Sequence, residues 1–88
     1  MENGGPPVSK DRTYRVKIGH DYRHFRNGKL YKVINVVKDA RTNEAMVVYR
    51  AQHGDLQTWV LPVKDFCEFV DKNGYRGPRY MEVKHGKL

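Results

Sequence analysis

Asn27-Gly28 separates the mixed run Tyr22-Arg23-His24-Phe25-Arg26 from the apolar run Leu30–Val37. An Asn-Gly pair supplies the positive φ angles of a type I′ turn, whose twist matches that of antiparallel strands, so the two runs are expected to form a β-hairpin. The second run is apolar on both parities: Tyr31, Val33 and Val37 on one, Leu30, Ile34 and Val36 on the other. A strand of that kind lies in the middle of a sheet or bends at a bulge.

Short runs bounded by turn residues continue on both sides. Tyr14, Val16 and Ile18 alternate with Arg15 and Lys17, which predicts a half-buried strand ended by Gly19. Glu44–Ala51 holds Met46, Val47, Val48 and Tyr49 and predicts the next strand. His53-Gly54-Asp55 then marks a turn, and Gln57–Leu61 predicts a short partner strand ended by Pro62, which cannot donate to a ladder. Val63, Phe66, Cys67 and Val70 fall at helical spacing behind Pro62, giving one short helix near residues 62–70. Asn73-Gly74 and Gly77-Pro78 signal further turns, and Tyr80–Lys84 predicts a closing strand set against the first hairpin.

The fold class expected is mainly β: a small, strongly bent antiparallel sheet, an SH3-like barrel or roll, occupying residues 13–84 as one domain. With 88 residues the chain is too short for a two-sheet sandwich, and an OB-like barrel, the main rival, usually needs more residues. Residues 1–12, with Gly4, Gly5, Pro6 and Pro7, read as a flexible arm, and residues 85–88 as a frayed end.

Charge is unevenly placed. Lys and Arg number 17 against 10 Asp and Glu, a net +7, and residues 10–41 carry ten basic and three acidic residues, which equals that whole excess. A basic segment favours polyanionic partners such as nucleic acid, taken first, or anionic lipid, with a merely solvated basic surface as the plain alternative. Cys67 is the only cysteine, so one chain forms neither an internal disulfide nor a cysteine-based zinc cage. A reducing cytoplasm fits best. The N-terminus lacks the basic-then-apolar layout of a secretory signal, and no apolar run is long enough to span a bilayer, so no membrane partner is expected.

Gly19-His20-Asp21-Tyr22-Arg23-His24-Phe25, Gly28 with Tyr31 and Val33, Val47-Val48-Tyr49, Trp59-Val60-Leu61-Pro62, Phe66, Gly74 and Pro78-Arg79-Tyr80 form a recurring pattern. It resembles a small bacterial family of domains of unknown function over about residues 19–80. The resemblance implies an SH3-like barrel in a bacterial or phage cytoplasmic protein and supplies no activity. Leu61 stands where the family pattern has arginine and Tyr80 where it has phenylalanine, so an anion contact by that arginine is not carried over.

The residues weighed as a ligand site are Tyr22, Arg23, His24, Arg26, Tyr49, Trp59 and Arg79. On a strand Tyr22 and His24 share one face, Arg23 and Phe25 the other. If Phe25 faces the core, Arg23 points inward near a rim, where it either pairs with an acid or recognises an anion with its planar donor fork. His24 has a side chain suited to a general base, but no nucleophile or orienting partner accompanies it, and no catalytic residue is assigned. The four His match no metal spacing, and neither metal nor cofactor is expected. Aromatics interleaved with Arg23, Arg26, Arg50, Arg76 and Arg79 suit base stacking with phosphate neutralisation. The alternatives are a protein-interaction module with an aromatic groove for peptides, such as an accessory subunit or a phage-encoded host-interacting factor, and a small-ligand or enzyme site centred on Tyr22, Arg23 and His24.

Overall fold

The computed structural model describes residues 16–84. Seven strands and one helical turn follow in the order β1 (Asp21–His24), β2 (Leu30–Lys38), β3 (Ala45–Ala51), β4 (Thr58–Pro62), α1 (Val63–Phe66), β5 (Phe69–Lys72), β6 (Tyr75–Pro78) and β7 (Tyr80–Glu82). The protein is mainly β. Five strands form one antiparallel sheet in the order β4-β3-β2-β1-β7, and β5 pairs with β6 as a separate ribbon. The two sheets do not join into a closed barrel.

β2 occupies the centre, and its register against β3 slips between Val33 and Asn35, the bulge expected of a strand apolar on both parities. Three cross-strand rows build the inner face: Tyr22–Tyr31–Ala51, Val33–Tyr49–Trp59 and Val36–Val47–Leu61. β7 lies three strands from β3, about 14 Å on a flat sheet, yet Tyr80 and Tyr49 rings are 5.3 Å apart and Tyr80 Oη donates to Tyr49 Oη at 3.2 Å. The sheet is therefore strongly curled. Phe66, fully buried on α1, closes the curl by stacking on Tyr80 at 4.4 Å between centroids.

Several expectations need correction. Residues 16–18 are not a strand: Val16 is buried, but Lys17 donates its backbone N–H to Tyr22 Oη at 2.9 Å and the chain turns, exposing Ile18; Tyr14 and the arm over 1–12 lie outside the described residues, as do 85–88. The short helix expected near 62–70 is the single turn α1, with Val63 and Phe66 as its buried face, but Val70, read at the same spacing, is buried on β5. Gly77-Pro78 is no turn but part of β6, where Gly77 packs under the Tyr75 ring. At Asn27-Gly28 only Gly28 has positive φ, +69°, so the loop is not type I′. It runs over residues 25–28, with Gly28 N–H donating to His24 O at 3.0 Å. Asn73 and Gly74, at +49° and +85°, form the type I′ turn between β5 and β6.

Candidate functional site

The row Tyr22–Tyr31–Ala51 ends on a small, buried side chain. Beside that alanine a cavity of about 270 Å³ opens, lined by Tyr31, Tyr49, Ala51, Trp59 and Tyr80 and by the loop residues His53, Gly54, Asp55 and Gln57. The three tyrosines are held in place, since Tyr31 meets Tyr49 and Tyr80 edge-on at 5.6 and 5.5 Å. Burial raises the Tyr80 pKa, helped by its hydrogen bond to Tyr49; burial also raises that of Tyr49, against the opposing effect of the same bond. Both hydroxyls stay protonated at neutral pH.

The other wall is less committed. Trp59, the only tryptophan in the chain, is 53% exposed and makes no ring contact among the described residues. His53 packs edge-on to Tyr31 at 5.3 Å, and its buried Nδ1 has no hydrogen-bond partner among the described residues. Native structures rarely leave such an atom unpaired without a ligand or water to satisfy it. The side chains of Asp55 and Gln57 also make no hydrogen bond or ion pair among the described residues. The loop that presents them holds Leu56 at a φ of +56°, an outlying conformation for a branched side chain. No Lys or Arg lines the cavity.

The neighbouring hairpin loop carries cations. The β1–β2 loop reaches the cavity wall through Asn27, whose Nδ2 donates to Tyr31 Oη at 3.3 Å while its Oδ1 accepts from Lys29 N–H at 2.7 Å. Arg26 lies over the Phe25 ring at 5.8 Å, and Arg23 Nη1 donates to Gly28 O at 2.8 Å. Arg23, Arg26 and Lys29 are exposed and have no carboxylate partner among the described residues. Lys17, Lys32, Lys64, Arg76 and Arg79 are each within ion-pair distance of a carboxylate.

The seven residues singled out in sequence are thus divided. Tyr49 and Trp59 share the aromatic cavity. Tyr22 is core, edge-on to Phe66 at 5.2 Å, and Arg23 points outward, the reverse of the assignment drawn from Phe25. Phe25 lies beyond the end of β1, so strand parity does not govern it; it stacks on Tyr75 at 5.4 Å instead. Arg23 and His24 line a second cavity with Phe25, Gly28 and Tyr75, which Tyr22 does not enter. Arg79 bonds Glu68 at 2.6 Å between β6 and β7. Arg23, His24, Trp59 and Arg79 do not converge. His53, Asp55 and Gln57 were missed because His53-Gly54-Asp55 reads as a turn; the available signal was that this turn joins the strands carrying Tyr49 and Trp59.

No group of three or more metal-ligating side chains occurs among the described residues, and no helix among them is long and apolar enough to cross a membrane. A curled five-stranded antiparallel sheet with a two-stranded ribbon and one helical turn defines a small, mainly β class of domain. The family described as protein of unknown function (DUF1653) matches residues 20–82, and the chain belongs to that family. A crystal structure of a DUF1653 protein from Bordetella bronchiseptica shares the fold with a TM-score of 0.69 at 22% identity, over 84% of this chain and 96% of that one. No curated protein matches the chain.

Proposed function

We propose that this protein is a non-enzymatic, cytoplasmic module that binds single-stranded nucleic acid. The observation that carries the reading is an unstacked, half-exposed Trp59 in an open aromatic cavity, next to a hairpin loop whose Arg26 and Lys29 have no carboxylate partner among the described residues. Single-strand binders combine these two elements: aromatic faces take bases of any sequence, and cations follow the phosphates. The cavity itself holds Asp55 and no cation, so the phosphates belong on Arg26 and Lys29 of the hairpin loop and the apolar part of the ligand inside.

Titration with single-stranded and duplex oligonucleotides at two ionic strengths tests this. Single strands are expected to bind more tightly than duplex, with affinity falling steeply as salt rises. Absence of binding at low salt, or affinity indifferent to salt, sinks the proposal. A protein partner is the second reading, favoured by Ile34, Val37 and Val60, which stay exposed on the sheet. Capture of one stoichiometric protein from nuclease-treated extract, with no oligonucleotide binding, selects it instead.

A further inference from the structure

Resting on the nucleic-acid reading above, we infer that the cavity beneath Trp59 is a socket for one unstacked base and that Asp55 makes it select guanine. The argument begins with the polar groups that line the cavity: the exposed Asp55 carboxylate and Gln57 amide, neither of which has a protein partner among the described residues. These groups call for a flat ligand with hydrogen-bonding edges, whose faces Trp59 and the tyrosines then cover. A trimethylated ammonium, the other ligand of aromatic cages, has no N–H to offer the Asp55 carboxylate, and the chain's net +7 charge repels it.

The choice among bases follows from Asp55, which at neutral pH only accepts hydrogen bonds. Guanine carries two adjacent N–H donors, N1–H and N2–H, on its Watson–Crick edge, and a carboxylate accepts both side by side. Adenine and cytosine set a ring acceptor next to the amino group, facing the carboxylate with a lone pair. Thymine and uracil flank their single N–H with two carbonyl oxygens. Single-stranded bases are read on this edge, and a site built around a hydrogen-bonding group rejects ligands that leave it unpaired.

The only tryptophan reports directly on the cavity, so fluorescence can follow its occupation. Four thymidine pentamers, with guanine, adenine, cytosine or thymine at the centre, are titrated into the full chain and into Asp55→Asn. The guanine pentamer is expected to quench Trp59 and to bind about tenfold more tightly than the others, the lower range of a bidentate base contact. Asp55→Asn replaces one acceptor oxygen with a donor and removes a negative charge. All pentamers then gain slightly in affinity, while the guanine-to-thymine ratio, from which that general gain cancels, falls to about one. Equal affinity for the four pentamers, or a ratio unchanged in Asp55→Asn, overturns the guanine socket while salt-dependent binding keeps the function proposed above. Loss of all salt-dependent binding by the unmodified chain overturns both.

Discussion

His24 shows how far a single residue can be read from its neighbours in sequence. Its ring, weighed in sequence as part of a ligand site, lies half-buried between Phe25 at 5.1 Å and Tyr80 at 4.9 Å, and its Nδ1 accepts the Arg26 N–H at 3.0 Å. Only neutral imidazole can accept there. Burial lowers its pKa, and the charges of Arg79 and Arg26 lower it further. A histidine whose pKa is lower folded than unfolded binds more protons in the unfolded chain, so stability rises with pH through that window. The contribution is complete above the ordinary imidazole value of about 6.5 and is lost as pH falls through the depressed one. Burial alone opposes ionisation of Glu82, but its bond to His20 and the charges of Lys17 and Lys84 outweigh that and lower its pKa, so its loss of stability comes at more acid pH. The thermal midpoint is therefore expected to fall between pH 7 and pH 5. In His24→Asn, whose Oδ1 keeps the acceptor without titrating, the slope flattens; an unchanged slope in differential scanning calorimetry removes His24 as its source.

At the scale of elements, the strands were legible because β-branched and aromatic runs between turn residues leave few alternatives, and β7 pairs with β1 as Pro78-Arg79-Tyr80 suggested. What was not legible is how tertiary contacts redistribute turn chemistry. The same Asn-Gly dipeptide makes a type I′ turn at 73–74 and a longer loop at 27–28, because Phe25 is drawn out of the hairpin by its N–H bond to Arg79 O at 3.0 Å and by the Tyr75 ring. Gly77 is the clearer case: it was read as a turn glycine, yet it is buried in a strand. A Cβ at that position comes within 2.7 Å of Tyr75 Oη, which itself donates to Pro78 O at 2.6 Å. Gly77→Ala must displace that ring and break its hydrogen bond, a local overpacking that costs about 1–3 kcal/mol. Combined with Tyr75→Phe, which removes the clashing oxygen, the alanine is expected to cost clearly less than alone. Urea unfolding of the four members of this cycle measures the coupling, and strict additivity rules out the contact as the cause. The site was legible in its aromatic half, through Tyr49 and Trp59, and illegible in its polar half, because a cavity created by Ala51 leaves no periodic trace in sequence.

For the molecule as a whole, a net charge of +7 says little until paired and unpaired cations are separated. Lys17, Lys32, Lys64, Arg76 and Arg79 have their carboxylates, so their charge is locally compensated. Arg23, Arg26 and Lys29 concentrate uncompensated charge at the hairpin, while Lys38 ends β2 and Arg41 follows it, roughly 25 Å away at the usual rise of a strand. That separation is about three Debye lengths at physiological ionic strength, so the two groups act on a bound strand independently. Each phosphate neutralised on a single strand contributes about 0.7 to the slope of log affinity against log salt. Arg26→Gln with Lys29→Gln is thus expected to reduce the slope by about 1.4, whereas Lys38→Gln with Arg41→Gln, which removes the same formal charge, leaves it nearly unchanged. Fluorescence titrations of a thymidine oligomer across a salt series decide the matter: equal reductions in both double variants mean that the chain attracts its ligand through overall charge and that the hairpin is no binding surface.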